Sequence, residues 1–109
     1  MRYWLIAIVA FGCTSGRDIE DQITIEQGVY GLLVDANNEP AMEQVIVYAA
    51  GETGTHARVA SDEAGIYQID LAAGDYTLCI ESCTAITVPD HGTIRYDWTS
   101  GPGGGRWSN

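Results

Sequence analysis

The chain has 109 residues, with 15 acidic and 5 basic side chains, a formal charge of −10 and no lysine. A balance this acidic repels phosphate backbones, which excludes nucleic acid as a partner. The length allows one small domain with one core.

Residues 3–11 carry no charge and follow Arg2. The run is too short to span a bilayer, which takes about 20 residues in a helix. A basic start, an apolar centre and a small residue before a cut is the layout of a secretory signal. The stretch Val9-Ala10-Phe11-Gly12-Cys13 resembles the lipobox of bacterial lipoproteins. That resemblance implies cleavage before Cys13, lipid on Cys13, and attachment to a membrane of the cell envelope. Thr14 in place of Asp after the lipid site implies the outer membrane, on its periplasmic or surface face. The alternative is a buried first element with a free cysteine, which leaves Trp4, Leu5, Ile6, Ile8, Val9 and Phe11 for a small domain to cover. The expected organisation is a signal over 1–12, a polar tether over 13–22, a folded domain over 23–98 and a glycine-rich tail over 99–109.

Beyond the tether the chain reads as strands. Turn residues recur every 8–12 positions between β-branched and aromatic runs. Strands are predicted over 23–26, 29–35, 44–49, 55–60, 65–71, 75–80, 83–88 and 93–98. Several alternate with period two. Tyr67, Ile69 and Leu71 share a face, as do Tyr76, Leu78 and Ile80, and Ile94, Tyr96 and Trp98. One apolar and one wet face is the mark of antiparallel sheets, and no stretch after residue 13 keeps a helical period for three turns. The expected fold is all-β, an antiparallel two-sheet sandwich of about seven strands, transthyretin-like or Ig-like. Turns are predicted at Asp35-Ala36-Asn37-Asn38-Glu39-Pro40, Asp62-Glu63-Ala64-Gly65 and Ala72-Ala73-Gly74-Asp75.

These turns carry a second resemblance. The segment from Gly31 through Asp35 to Pro40, followed by Val45-Ile46-Val47, resembles the first half of a carboxypeptidase regulatory-like domain. Ser61-Asp62-Glu63-Ala64-Gly65-Ile66-Tyr67, then Gly74-Asp75-Tyr76-Thr77-Leu78, resembles the second half. Asn38 stands where that family has Gly, Glu43-Gln44 where it has Gly-Ala, and Ala72 where it has Pro. The resemblance implies a transthyretin-like sandwich without catalysis, of the kind that accompanies other activities and occurs on bacterial surfaces.

The chemistry-bearing residues are few. A zinc peptidase needs two histidines and a carboxylate on the metal. His56 and His91 are the histidines present, and neither lies in a His-x-x-Glu pattern. Hydroxyisourate hydrolases share the transthyretin-like fold and use His and Arg in a channel between subunits, so His56, Arg58 and His91 invite comparison. Those enzymes end Tyr-Arg-Gly-Ser, whereas this chain ends Gly-Gly-Arg-Trp-Ser-Asn. His56 is then expected on a wet strand face and His91 in a turn. Asp35, Asn37 and Glu39 alternate as calcium ligands do, but three oxygens fall short of six to eight. No metal, cofactor or catalytic residue is expected.

Three cysteines are an awkward number for an exported chain. If Cys13 carries lipid, Cys79 and Cys83 remain as a pair at the ends of two successive strands. Directly opposed strand positions lie about 4.5–5.5 Å apart, within reach of a disulfide. The alternatives are two reduced cysteines on a wet face, or a metal site completed by histidine. In the tail, Trp107 is a candidate to stack on a sugar or a partner, or to fold back over an open sheet edge. The functional expectation is a non-catalytic, lipid-anchored envelope module for protein interaction or structural support. The alternative is a carbohydrate-binding module using Tyr96, Trp98 and Trp107, with a hydrolase third. The partner is then an envelope protein or a glycan.

Overall fold

The computed structural model describes residues 18–109; the proposed signal and Cys13 lie outside them. A short 3-10 turn, Glu20–Gln22, precedes nine strands: β1 (Gln27–Val34), β2 (Gln44–Ala49), β3 (Ala57–Ala60), β4 (Ile66–Asp70), β5 (Gly74–Cys79), β6 (Cys83–Val88), β7 (Gly92–Arg95), β8 (Asp97–Thr99) and β9 (Arg106–Ser108). Two sheets result. The first runs β4-β1-β8-β9, with β7 also on β1; the second runs β3-β2-β5-β6. The second is antiparallel throughout. In the first, β4 and β9 pair antiparallel, while β7 and β8 run parallel to β1. The parallel pairings arise because the chain crosses from β6 to the start of β1, where Gln27 lies opposite Gly92. The Gln27 Nε2 donates to the Pro89 carbonyl there, at 3.3 Å.

The alternation read from the sequence builds the core. Val29, Leu33, Tyr67, Ile69 and Trp98 from the first sheet meet Val45, Val47, Tyr76, Leu78, Ile86 and Val88 from the second. Leu71, Ile80, Ile94 and Tyr96 pack in the same cluster, on the predicted faces. Burial of such side chains contributes roughly 1.5–3 kcal/mol each.

β1 is buried on both faces. Its outer residues Tyr30, Leu32 and Val34 form a second cluster with Ile66, roofed by Ile19 and flanked by Ile23. Ile19 is only 2% exposed. Residues 18–22 therefore belong to the folded body, not to the predicted tether. The predicted strand over 23–26 is also absent. The Thr24 and Ile25 N–H groups donate to the Gln68 side-chain oxygen at 2.8 and 3.2 Å, which takes them out of any ladder.

Two connections between the sheets, β1 to β2 and β3 to β4, share one turn construction. The Asp35 carboxylate accepts from the Asn37 and Glu39 N–H groups, and the Asp62 carboxylate accepts from those of Ala64 and Ile66, all at 2.9–3.0 Å. The carbonyl of each Asp accepts from the residue three on, Asn38 or Gly65. Those residues adopt φ of 65° and 81°, the left-handed region. Asn is among the few non-glycine residues that tolerate it, so Asn38 serves where the family pattern has Gly.

Two further readings are corrected. The predicted strand over 93–98 breaks at Tyr96 into β7 and β8. The tail is not merely irregular: after the turn around Gly101–Gly105 it returns as β9, with Trp107 opposite Trp98.

Candidate functional site

The polar side chains concentrate at the break between β7 and β8. β1 approaches this break closely: a Cβ at Gly31 would fall on the Tyr96 carbonyl oxygen. The break costs the ladder its regular partners, and side chains replace them. The Asp97 Oδ1 accepts from the Leu32 N–H at 2.9 Å. The buried Tyr67 hydroxyl donates to the Tyr96 carbonyl at 2.7 Å. Buried backbone groups left without such partners cost about 1–3 kcal/mol each.

Arg95 ties this break to the N-terminal segment. Its Nε donates to Asp97 at 3.0 Å and its Nη1 to Glu20 at 3.2 Å. The same Glu20 oxygen accepts from the Tyr30 hydroxyl at 2.8 Å. Hydrogen bonds to Asp18 and to Tyr30 hold the Glu20 carboxyl at about 2. Burial and the Glu20 hydrogen bond push Tyr30 up to about 12, and burial also raises Tyr67. Burial alone would lower Arg95, but its bonds to Asp97 and Glu20 raise it. A general acid or base works best with a pKa near the operating pH. Each of these groups is moved away from neutrality, into the state that strengthens its structural bond.

The candidates from the sequence are dispersed. Cys79 and Cys83 face each other across β5 and β6 and form a disulfide. Their sulfurs are spent on each other, which corrects the alternative of a metal site there. The Asp35 Oδ1 caps its own turn. Among the described residues no group of three or more His, Cys, Asp or Glu is placed to hold a metal ion. His56 lies one residue before β3, 3.3 Å from Glu52, with its ring 5.5 Å from that of Tyr76. Arg58 is exposed opposite Ile46 in the second sheet, while His91 is exposed in the turn entering β7 of the first.

The proposed aromatic platform is also taken apart. Trp98 is 1% exposed in the core, so it presents no face to a ligand. Its indole N–H has no partner among the described residues. Trp107 is half-buried, donates its N–H to the Ser82 carbonyl at 2.8 Å, and meets Tyr67 edge-on. It takes the fold-back role rather than the stacking one. Of the three, Tyr96 lines a surface groove of about 630 Å³, with Ala85, Ile86 and Thr87 of β6, Ile94 of β7 and Asn109. Asn109 carried no signal in the sequence. It reaches the groove because β9 turns the tail back, where its amide donates to the Arg95 carbonyl.

No family model matches the chain, and no curated protein is significantly similar to it. Among solved structures, 5-hydroxyisourate hydrolase from Klebsiella pneumoniae superposes with a TM-score of 0.56 at 20% identity, over 78% of this chain and 92% of that one. The fold is transthyretin-like. At this identity the likeness speaks for architecture alone, and it agrees with the sandwich implied by the regulatory-domain resemblance.

Proposed function

We propose that this chain is a non-catalytic module, held at the cell envelope by lipid on Cys13, whose work is contact with a protein partner. The observation that carries the reading is the use made of its polar groups. Arg95, Asp97, Glu20, Tyr30 and Tyr67 are consumed in bracing one break in the first sheet. The disulfide supports the exported setting, since such bonds persist in oxidising compartments. The docked segment at 18–22 supports a short link. Four residues lie between Cys13 and Asp18, and the five steps reach at most about 18 Å. The test is fatty-acid labelling of the full chain. Label and membrane retention are expected, and both should vanish in Cys13→Ala; an unlabelled chain retaining its first residues would contradict the anchor.

A second reading follows from the Klebsiella structure: hydrolysis of 5-hydroxyisourate. It requires His56, Arg58 and His91 to converge, within one chain or between copies, and predicts turnover that His56→Ala abolishes.

A further inference from the structure

The strand edges of this sandwich are not equally protected. β3, β7 and β9 have only three or four residues each and contain Arg58, Arg95 and Arg106. Beside β4, Gln68 holds the backbone of Thr24 and Ile25. β6 differs. It has six residues, Cys-Thr-Ala-Ile-Thr-Val, without charge or proline, and β5 is its only strand partner among the described residues. Natural sheets blunt such edges with charge, proline, bulges or short strands; β6 uses none of these.

The edge is also held rigidly. The disulfide fixes its first residue against Cys79. Just before it, the Ser82 carbonyl accepts from the Trp107 indole, and the Ser82 hydroxyl donates to the Gly105 carbonyl. Just after it, the Pro89 carbonyl accepts from Gln27. β6 is thus pinned to the opposite sheet at both ends, with its middle free along the groove lined by Ile94 and Tyr96.

Charge indicates the occupant. Exposed Glu81 precedes β6, exposed Asp90 follows it, and Asp75 lies beside Thr87 at 2.9 Å. No arginine or lysine occurs between Arg58 and Arg95, and His91 is the one histidine there. A second copy of so acidic a chain would be repelled from this edge. We propose that β6 accepts an extended segment of a partner protein with basic residues at both ends of a neutral β-prone run. The added strand pairs with the free backbone of β6, alternate side chains enter the groove, and Glu81 and Asp90 meet the flanking cations. This rests on the contact reading above and names the partner's chemistry.

The test uses the full chain and synthetic peptides with an alternating Thr/Val centre, flanked by lysines in one and glutamates in the other. The lysine peptide is expected to bind and to slow hydrogen exchange at β6 amides. Binding should weaken about tenfold when Glu81→Lys and Asp90→Lys are combined, as two exposed charge contacts imply, and should fall with added salt. Reduction of the disulfide should weaken it as well, since the edge is then less preorganised. The proposal is overturned if neither peptide binds at low salt, if charge reversal leaves binding unchanged, if protection appears elsewhere, or if the chain pairs with itself through β6. Such a failure without 5-hydroxyisourate turnover leaves the contact reading standing; turnover overturns that reading whatever the peptides do.

Discussion

In the first sheet, β1 is buried on both faces, paired on both edges and braced by side chains where β7 yields to β8. In the second, β2 and β5 bury one face only, the ladders are regular, and β6 ends the sheet with a free edge. The first sheet spends Arg95, Asp97, Tyr67 and Glu20 on repairing a break. The second needs no such repair and relies on one disulfide to fix the hairpin that carries its edge. The difference teaches where to look for function in a chain like this: a dense polar cluster with perturbed acids and bases can be scaffolding, while an uncharged, well-held strand edge is available.

The largest effect should come from Gly31→Ala. The added methyl would meet the Tyr96 carbonyl and the Tyr67 ring, and backbone does not yield as a side chain does. A loss of about 3 kcal/mol or more is expected in denaturant unfolding; a loss under about 1 kcal/mol would mean that the break is soft. In the second sheet, replacing both Cys79 and Cys83 by Ser should cost less. Closing a five-residue loop restricts the unfolded chain by about 2 kcal/mol on the chain-entropy account. Hydrogen exchange should then rise first at the β5–β6 hairpin and around Trp107, leaving the β7–β8 break unchanged.

The smallest effect is on pH. The Glu20 carboxyl is depressed from 4.5 to about 2. A depressed acid stabilises the fold fully above its unfolded value and loses that contribution as pH falls through the folded one. Docking of Ile19 should therefore loosen between about pH 4.5 and about 2. The Ile19 methyl resonance reports this directly, and Glu20→Gln should flatten its titration. At the alkaline end Tyr30, raised from 10.0 to about 12, favours the neutral form; its contribution is complete below 10.0 and lost as pH rises through about 12.

The core was legible because β side chains alternate. Tyr67, Ile69 and Leu71 point inward as their period demands, and so do Tyr76 and Leu78. The Asp-led turns were legible because their chemistry is local. What escaped depends on single residues acting over distance. Ile19 is one apolar side chain in a polar run, with no period to betray its burial. Asp97 continues an alternating stretch, and only the path of β1 makes it an acceptor for Leu32. The glycines after Ser100 concealed β9 because they form a turn, and the strand beyond it has just three residues. Parallel pairing of β7 with β1 leaves no local mark, since it follows from where the chain crosses between sheets. In the candidate site, the Cys79–Cys83 pair was legible from spacing, whereas burial of Trp98 was the cost of its place on the correctly read inward face.

The most direct test of a module that works without chemistry is the rate at which purified full chain consumes 5-hydroxyisourate. A rate equal to the spontaneous decay, unchanged in His56→Ala, is the predicted result. Saturable turnover that His56→Ala removes would contradict it.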